Sequence, residues 1–377
     1  MNQKHLNAIG LMSGTSLDGI DVALLRSDGE NDLERGPFLS IPYDDEFRNQ
    51  LKQALVEAKV IKSRDERPDG LADLERELTG RHADAIEEFL AQHNLRMSDV
   101  DLIGFHGQTI LHKPGEALTV QLGNGDLLSE RIGIPVVYDM RANDMANGGQ
   151  GAPLAPAYHR ALVANMSSAN NGVAIVNIGG ISNISAVFPA NLSDSELHAF
   201  DCGTGNILID QWVEAHSGQK YDDGGKIGLR GKVISDVAVD YIRNVKELIS
   251  DGRSLDRLDF PILDKASASL EDGARTLAHV TGQLIAASVA RLPLEPKLWI
   301  LCGGGRLNKA IIVELEEALS SDCNVVTAEE AGISGDAVEA EAWAYLAIRS
   351  MKGLPLTYPS TTGVNMPASG GVLANLI

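Results

Sequence analysis

Short runs of alternating apolar and polar residues open the chain. Leu6-Asn7-Ala8-Ile9-Gly10-Leu11-Met12-Ser13 reads as one strand and Ile20-Asp21-Val22-Ala23-Leu24-Leu25 as its partner, joined by the polar turn Gly14-Thr15-Ser16-Leu17-Asp18-Gly19. Helical spacing takes over near Asp45 to Ala58 and Asp69 to His93, where Leu71, Leu74, Leu78, Ala83, Ile86 and Leu90 recur about every turn. Strands are expected again at Val100 to Phe105, Leu118 to Leu122 and Pro135 to Tyr138, with a helical segment Asp126 to Arg131 before the last. The stretch Ala146-Asn147-Gly148-Gly149-Gln150-Gly151-Ala152-Pro153 marks a candidate domain junction ahead of a helix from Leu154 to Val163.

The pattern then restarts. A strand Val173 to Ile178 meets the turn Gly179-Gly180-Ile181-Ser182-Asn183, and strands Ile184 to Phe188 and Leu197 to Phe200 lead to Asp201-Cys202-Gly203-Thr204-Gly205-Asn206 and a helix. Two similar hairpin starts ~160 residues apart suggest two related lobes. The remainder alternates helices (Ala266 to Arg291, Arg306 to Leu319, Asp336 to Met351) with strands (Leu298 to Cys302, Asn324 to Thr327), a rhythm that implies a largely parallel sheet with ligands at the strand C-termini. Small residues in Asp336-Ala337-Val338-Glu339-Ala340-Glu341-Ala342-Trp343-Ala344 read as a lobe-to-lobe crossing helix.

Length and composition fit this picture. The 377 residues suffice for two domains, and 44% hydrophobic with 22% charged residues is the balance of a folded globular chain. A formal charge of -20 disfavours nucleic-acid or anionic-membrane partners, which draw on clustered Lys and Arg, yet leaves phosphate capture by backbone N–H groups open. Cys202, Cys302 and Cys323 are widely spaced and odd in number, which suits a reducing compartment. The N-terminal apolar run stops at Ser13-Gly14, too soon for a signal-peptide core, so the expected location is the cytoplasm. His159, His279 and the other histidines lack metal-ligand spacing.

Three strand-glycine loops carry the candidate chemistry. The turn from Gly14 through Thr15, Ser16, Leu17, Asp18, Gly19 and Ile20 to Asp21 offers hydroxyls, close backbone approach and two carboxylates, Asp18 and Asp21, suited to phosphates and a metal ion; an ordinary hairpin turn is the alternative. Gly179 and Gly180 form the second loop. Gly303, Gly304 and Gly305 form the third, ahead of a helix whose N-terminus would favour an anion. Together they argue for a nucleotide, while neither a Gly-x-Gly-x-x-Gly fingerprint nor a Gly-x-x-x-x-Gly-Lys-Ser/Thr loop is present. Asp201, at the end of a strand, is placed to act as a general base or, alternatively, to cap the helix starting near Gly205. His106, Gln108, Thr109, Arg141 and Asp144 gather polar groups after strands, as sugar recognition requires and as a structural network would also do.

The segments Gly10 to Gly19, Phe105 to Thr109, Gly148 to Leu154, Asn177 to Asn183, Asp201 to Asn206 and Cys302 to Arg306 together resemble the anhydro-N-acetylmuramic acid kinases. The resemblance implies an α/β, two-lobed actin/hexokinase-like (ribonuclease H-like) fold with mixed sheets and an interlobe ATP/substrate cleft. The glycine-rich junction and a turn-rich tail returning to the first lobe give expected lobes of 1–150 with about 353–377, and of 151–352, and the resemblance implies a homodimer. It further implies ATP and Mg²⁺ as cofactors, an amino-sugar substrate, Asp201 as the base that activates water, and the Gly14 to Asp21 turn as the phosphate site. Where the wider superfold often carries an Asp before that turn, this chain has Met12 and Ser13, so a metal would fall to Asp18, Asp21 or water.

Overall fold

A computed structural model describes residues 5–14, 16–164, 166, 171–189, 196–250 and 260–374. In chain order the first elements are strands β1 (Leu6–Ser13), β2 (Gly19–Ser27) and β3 (Leu33–Pro42), helices α1 (Asp45–Glu57) and α2 (Leu71–Gln92), and strands β4 (Leu102–Lys113) and β5 (Leu118–Leu122). Then come α3 (Gly125–Ile132), β6 (Val136–Tyr138), α4 (Ala142–Ala146) and α5 (Pro156–Val163). The second series is β7 (Val173–Ile178), β8 (Ile181–Val187), β9 (Leu197–Thr204), α6 (Ile207–Ser217), α7 (Ser235–Ser250), α8 (Leu270–Ala287), β10 (Leu298–Cys302), α9 (Lys309–Ala318) and β11 (Asn324–Thr327). The chain ends with α10 (Val338–Met351), α11 (Pro359–Thr362) and β12 (Val372–Ala374).

Packing divides the chain into two compact units, Met1–Asn165 with Ala337–Ile377, and Met166–Asp336. Residues 151–164 and 337–352, expected in the second lobe, therefore pack with the first. The first unit holds a mixed sheet in the order β12-β6-β4-β1-β2-β3, with β5 paired to β4. Here β1, β2 and β3 form an antiparallel meander, and β4 and β6 run parallel to β1. The second unit repeats that order as β11-β10-β7-β8-β9: a meander of β7, β8 and β9, then β10 and β11 parallel to β7. The chain is thus α/β with two mixed sheets.

Each unit has its own core. In the first, Ile9, Leu11, Val22, Ile103 and Phe105 of the sheet pack with Phe47 and Leu51 of α1 and Leu78, Ile86 and Phe89 of α2. Helix α1 starts where the Asp44 carboxylate accepts the Phe47 N–H at 2.8 Å, and α3 ends at Gly133 in the left-handed region. In the second, Val176, Ile184, Trp299 and Leu301 pack with Trp212, Leu277, Leu284, Ile311 and Leu315.

Helix α10 does not act as a crossing element; it lies within the first unit and packs on β1, β2 and β4. The residues from Ala340 to Arg349 are all buried, so its small residues serve a helix-on-sheet contact. Gly10 and Gly104 are register partners on neighbouring strands, and they allow that contact. A Cβ on Gly10 would stand 1.8 Å from the Ala340 carbonyl oxygen, and one on Gly104 2.1 Å from that of Trp343.

Candidate functional site

In the first unit, the turn between β1 and β2 is fixed from beneath. Ser13 is fully buried; its hydroxyl donates to Gln108 Oε1 at 2.6 Å and lies 2.8 Å from the Tyr43 hydroxyl. Gln108 Nε2 donates to the Gly14 carbonyl at 3.2 Å, the Tyr43 N–H to the Asp18 carbonyl at 2.9 Å, and Arg48 Nε to the Leu17 carbonyl at 2.8 Å. The Leu17 N–H also donates to the Gly14 carbonyl, at 3.2 Å, so the described part of the turn is held largely by its own backbone and by residues beneath it. Thr15 lies outside the described residues. Leu17 is buried with φ 57°, and Gly19 and Ile20 begin β2.

Asp18 is exposed and accepts the Ser16 hydroxyl at 2.6 Å, while Asp21 is half-buried on β2 opposite Met12. Burial pushes the Tyr43 phenol up, with the charges of Asp18 and Asp21 adding to it, so both carboxylates lie within electrostatic reach of one hydroxyl. Hard carboxylate oxygens of this kind suit Mg²⁺. Among the described residues, the one group of three ligating side chains close together is elsewhere: Glu295, Asp322 and Cys323. There the Lys297 ammonium already donates to Asp322 at 2.9 Å and to Glu295 at 3.3 Å.

Beside the turn, His106, Arg141 and Trp343 form a stack. Arg141 donates to His106 Nε2 through Nε at 3.3 Å, its Nη2 lies 3.0 Å from the same nitrogen, and Nη1 donates to the Gly151 carbonyl at 2.8 Å. The Trp343 ring lies 4.4 Å from that of His106 and 5.2 Å from the Arg141 guanidinium carbon, and its Nε1–H donates to Met12 Sδ at 3.0 Å. Burial, with the Arg141 charge adding to it, holds the His106 imidazole well below its usual range. It is therefore neutral, which lets Nε2 accept. Burial also pulls Arg141 down to about 10, opposed by the charges of Glu339 and Asp144, so the guanidinium remains cationic at neutral pH. Among the described residues, no carboxylate lies within ion-pair distance of it. Thr109 accepts from Gln121 Nε2 at 3.2 Å at the edge of this group.

Asp144 differs from its neighbours. Its carboxylate accepts the Gly151 N–H at 2.6 Å through one oxygen and the Thr362 hydroxyl at 2.6 Å through the other. A Cβ on Gly149 would stand 2.1 Å from it. The structural network weighed above as the alternative describes Asp144, which pins the glycine-rich loop after α4.

In the second unit, β7, β9 and β10 run in one direction, so the loops that follow them share one sheet edge. The N–H groups of Gly205 and Asn206 donate to the Gly180 and Gly179 carbonyls, both at 2.8 Å, and Asn206 Nδ2 to the Ile178 carbonyl at 3.2 Å. Gly303, with φ +70°, lies where a Cβ would stand 2.3 Å from Asn177 Oδ1, and Gly305 where one would stand 2.2 Å from Ile178 Cγ2. Nothing lies within 4 Å of a Cβ on Gly304, which faces open space. Arg306 locks this loop by donating to the Gly303 carbonyl, Glu329 and Asp336.

The third loop does not open a free helix N-terminus. A 3₁₀ turn, Gly304–Leu307, intervenes, and α9 is capped by Asn308, whose side chain accepts the Ala310 and Ile311 N–H groups. Gly225 covers the same end, since a Cβ there would stand 2.7 Å from the Ala310 nitrogen. Asp201 does not cap α6: it lies within β9, and Asn206 occupies the cap position. Half-buried, it pairs in register with Asn183, and its carbonyl accepts Arg291 Nη1 at 3.2 Å. Burial, with the Asp201 charge adding to it, pushes the Cys202 thiol up to about 12 and keeps it neutral.

Sequence reasoning missed Tyr43, Trp343, Asn206 and Arg291. Asn206 lay inside a quoted motif and Trp343 inside the helix read as a crossing element, while Tyr43 and Arg291 reach their partners only through the fold.

The anhydro-N-acetylmuramic acid kinase family model matches residues 6–375. A kinase of that name from Rhizobium etli is 56% identical over 97% of this chain and 98% of its own length. One from Agrobacterium fabrum is 53% identical over 97% and 98%. Among solved structures, the activator of the 2-hydroxyisocaproyl-CoA dehydratase from Clostridium difficile, with bound ADPNP, covers 92% of this chain and 96% of its own at 11% identity and a TM-score of 0.44, a likeness too distant to bear on function. With the family model spanning nearly the whole chain and relatives above half identity end to end, the chain belongs to the anhydro-N-acetylmuramic acid kinase family and is a sugar kinase.

Proposed function

We propose that the enzyme uses ATP and water to open 1,6-anhydro-N-acetylmuramic acid and phosphorylate it, giving N-acetylmuramic acid 6-phosphate and ADP, a step in cell-wall murein recycling. The observation that carries the reading is the end-to-end similarity to kinases named for that sugar. Asp201 takes a proton from the attacking water as its oxygen bonds to the anomeric carbon; the bond from that carbon to O6 breaks, and O6 receives the γ-phosphoryl group as its bond to ADP breaks. Such general-base assistance is worth ~10²–10⁴-fold. The Gly14 to Asp21 turn holds phosphate through its N–H groups and hydroxyls, and the Gly179-Gly180 and Gly303-Gly304-Gly305 loops hold the remainder of the nucleotide. Asp18 and Asp21 would hold Mg²⁺, whose charge offsets that of the phosphates.

On the sugar side, Arg141 is a cation without a carboxylate partner in ion-pair range among the described residues, and the substrate's lactyl carboxylate is a fitting one. His106 and Thr109 stand beside it, Gln108 braces the phosphate turn through Ser13 and the Gly14 carbonyl, and Asp144 fixes the adjoining loop. We assign the enzyme to the cytoplasm as a homodimer; no helix among the described residues is long and apolar enough to cross a membrane. The test is an ADP-release assay with 1,6-anhydro-N-acetylmuramic acid, N-acetylmuramic acid and N-acetylglucosamine, with products read by mass spectrometry. Turnover of the anhydro sugar with gain of phosphate and one water is the expected result. Turnover of an open-ring sugar alone would leave an ordinary sugar kinase, with Asp201 deprotonating the sugar hydroxyl instead of water.

A further inference from the structure

We propose that Trp343 is a positioning residue that holds two parts of the site at once, the phosphate turn through Met12 and the sugar-side cation through His106 and Arg141. This rests on the functional reading above. Helix α10 supplies no group assigned to chemistry, yet its one tryptophan touches both parts. Its indole N–H donates to the sulfur of Met12, the residue before Ser13 and the turn. Its ring face lies 4.4 Å from the His106 ring, and His106 is the group to which Arg141 donates. The guanidinium carbon itself lies 5.2 Å from the indole ring, where the ring's electron density favours a cation.

The indole is itself held in place. The Trp343 backbone sits on Gly104, where a Cβ would stand 2.1 Å from the Trp343 carbonyl oxygen, and Gly10 meets Ala340 one turn earlier and Ala344, the next residue along the helix. Neither glycine leaves the helix room to approach further, so the side chain reaches β1 and β4 from a fixed height. A tryptophan serving only to fill space requires neither the N–H···S contact nor a charged group under its ring. The fixed spacing of Met12 and His106 is what in-line phosphoryl transfer demands of groups that bind the two reactants.

The experiment compares Trp343→Phe, Trp343→Leu, Met12→Leu and the Trp343→Phe/Met12→Leu pair, each checked for wild-type circular dichroism. Trp343→Phe keeps a ring on His106 and loses the N–H donor. It is expected to weaken binding of a non-hydrolysable Mg-ATP analogue about two- to fivefold, the worth of one modest hydrogen bond, with the sugar KM near wild type. Met12→Leu is expected to match it, and the double variant to be no worse than either single one. Trp343→Leu is expected to raise the sugar KM about tenfold as well, and Phe at the same position to rescue that loss. Unchanged nucleotide binding in both Trp343→Phe and Met12→Leu overturns the proposal, whichever sugar the wild-type enzyme accepts. So does a sugar KM as high in Trp343→Phe as in Trp343→Leu. Absence of anhydro-sugar turnover by the wild type overturns the substrate assignment instead, and binding of the Mg-ATP analogue, read by isothermal titration calorimetry, still decides the role of Trp343.

Discussion

Replacing Gly10 by alanine probes the helix-on-sheet contact from which the first unit is built. The added methyl carbon would start 1.8 Å from the Ala340 carbonyl oxygen and 2.6 Å from the Ala344 nitrogen, where real contacts do not fall below 3.0 Å. Both obstacles are backbone atoms of a buried helix, so no side chain can swing aside. Helix α10 must lift from β1, and lifting it there also pulls Trp343 from Gly104 one strand away. Overpacking a well-filled core costs ~1–3 kcal/mol. With the strain spread over two strands, about 3–5 kcal/mol is expected, a large part of the ~5–15 kcal/mol that holds a domain folded. Urea unfolding followed by tryptophan fluorescence reads this as a fall in midpoint at constant slope. Gly115→Ala is the control, since nothing lies within 4 Å of a Cβ there. A Gly10→Ala stability within about 0.5 kcal/mol of wild type would refute the reasoning.

Asp201→Asn is expected to lower kcat by ~10²–10⁴-fold while Mg-ATP binding and unfolding midpoint stay unchanged; wild-type turnover would remove the base assignment. Asp144→Asn places an amide nitrogen against one of the two donors its carboxylate serves and is expected to cost about 1–3 kcal/mol in urea unfolding. Asp210 offers a pH signature. Burial first, then the charges of Asp222 and Glu214, push its carboxyl from 3.8 up to about 6, so the folded chain binds that proton more tightly than the unfolded one. Its contribution to stability is therefore fully present at acid pH and falls as pH rises from about 4 to about 6. Asp210→Asn is expected to gain about 1 kcal/mol at pH 7.5, an amount reduced for the partial exposure of the group, and to gain nothing below about pH 4 in thermal melts.

Much of the architecture was legible because its signals are local. The strands at Leu118–Leu122, Val173–Ile178, Leu298–Cys302 and Asn324–Thr327 lie where the apolar runs predict, and α1, α2 and α3 agree to within a few residues. The edge strand β3 was not foreseen, because Leu33–Pro42 is largely exposed, with no residue of its run fully buried, and lacks the apolar alternation of a half-buried strand. The extent of β9 was underestimated because Asp201, Gly203 and Thr204 read as turn residues, although pairing with β8 keeps them extended. Helix α10 shows why small residues are ambiguous: Ala340, Ala344 and Ala347 fit close packing of any kind, and only Gly10 and Gly104, more than 200 residues away, reveal that the partner is a sheet. In the candidate site, the glycine loops were legible as backbone shapes. The connections of Gln108 to Ser13 and of Trp343 to Met12 were not, because each joins residues far apart in sequence.

The placement of α10 bears on how the protein is made. The first unit is discontinuous: its sheet is covered by a helix that begins only after all of Met166–Asp336 has been added to the chain. At a synthesis rate of about 5–20 residues per second, the nascent β4 waits roughly ten to fifty seconds, and β1 and β2 longer, for the helix that closes over Gly10 and Gly104. The second unit, whose sheet and helices are contiguous, has every part of its core before that moment. The order of completion on the ribosome is thus the reverse of the order in the gene, and the uncovered face of the first sheet is the surface a chaperone would meet.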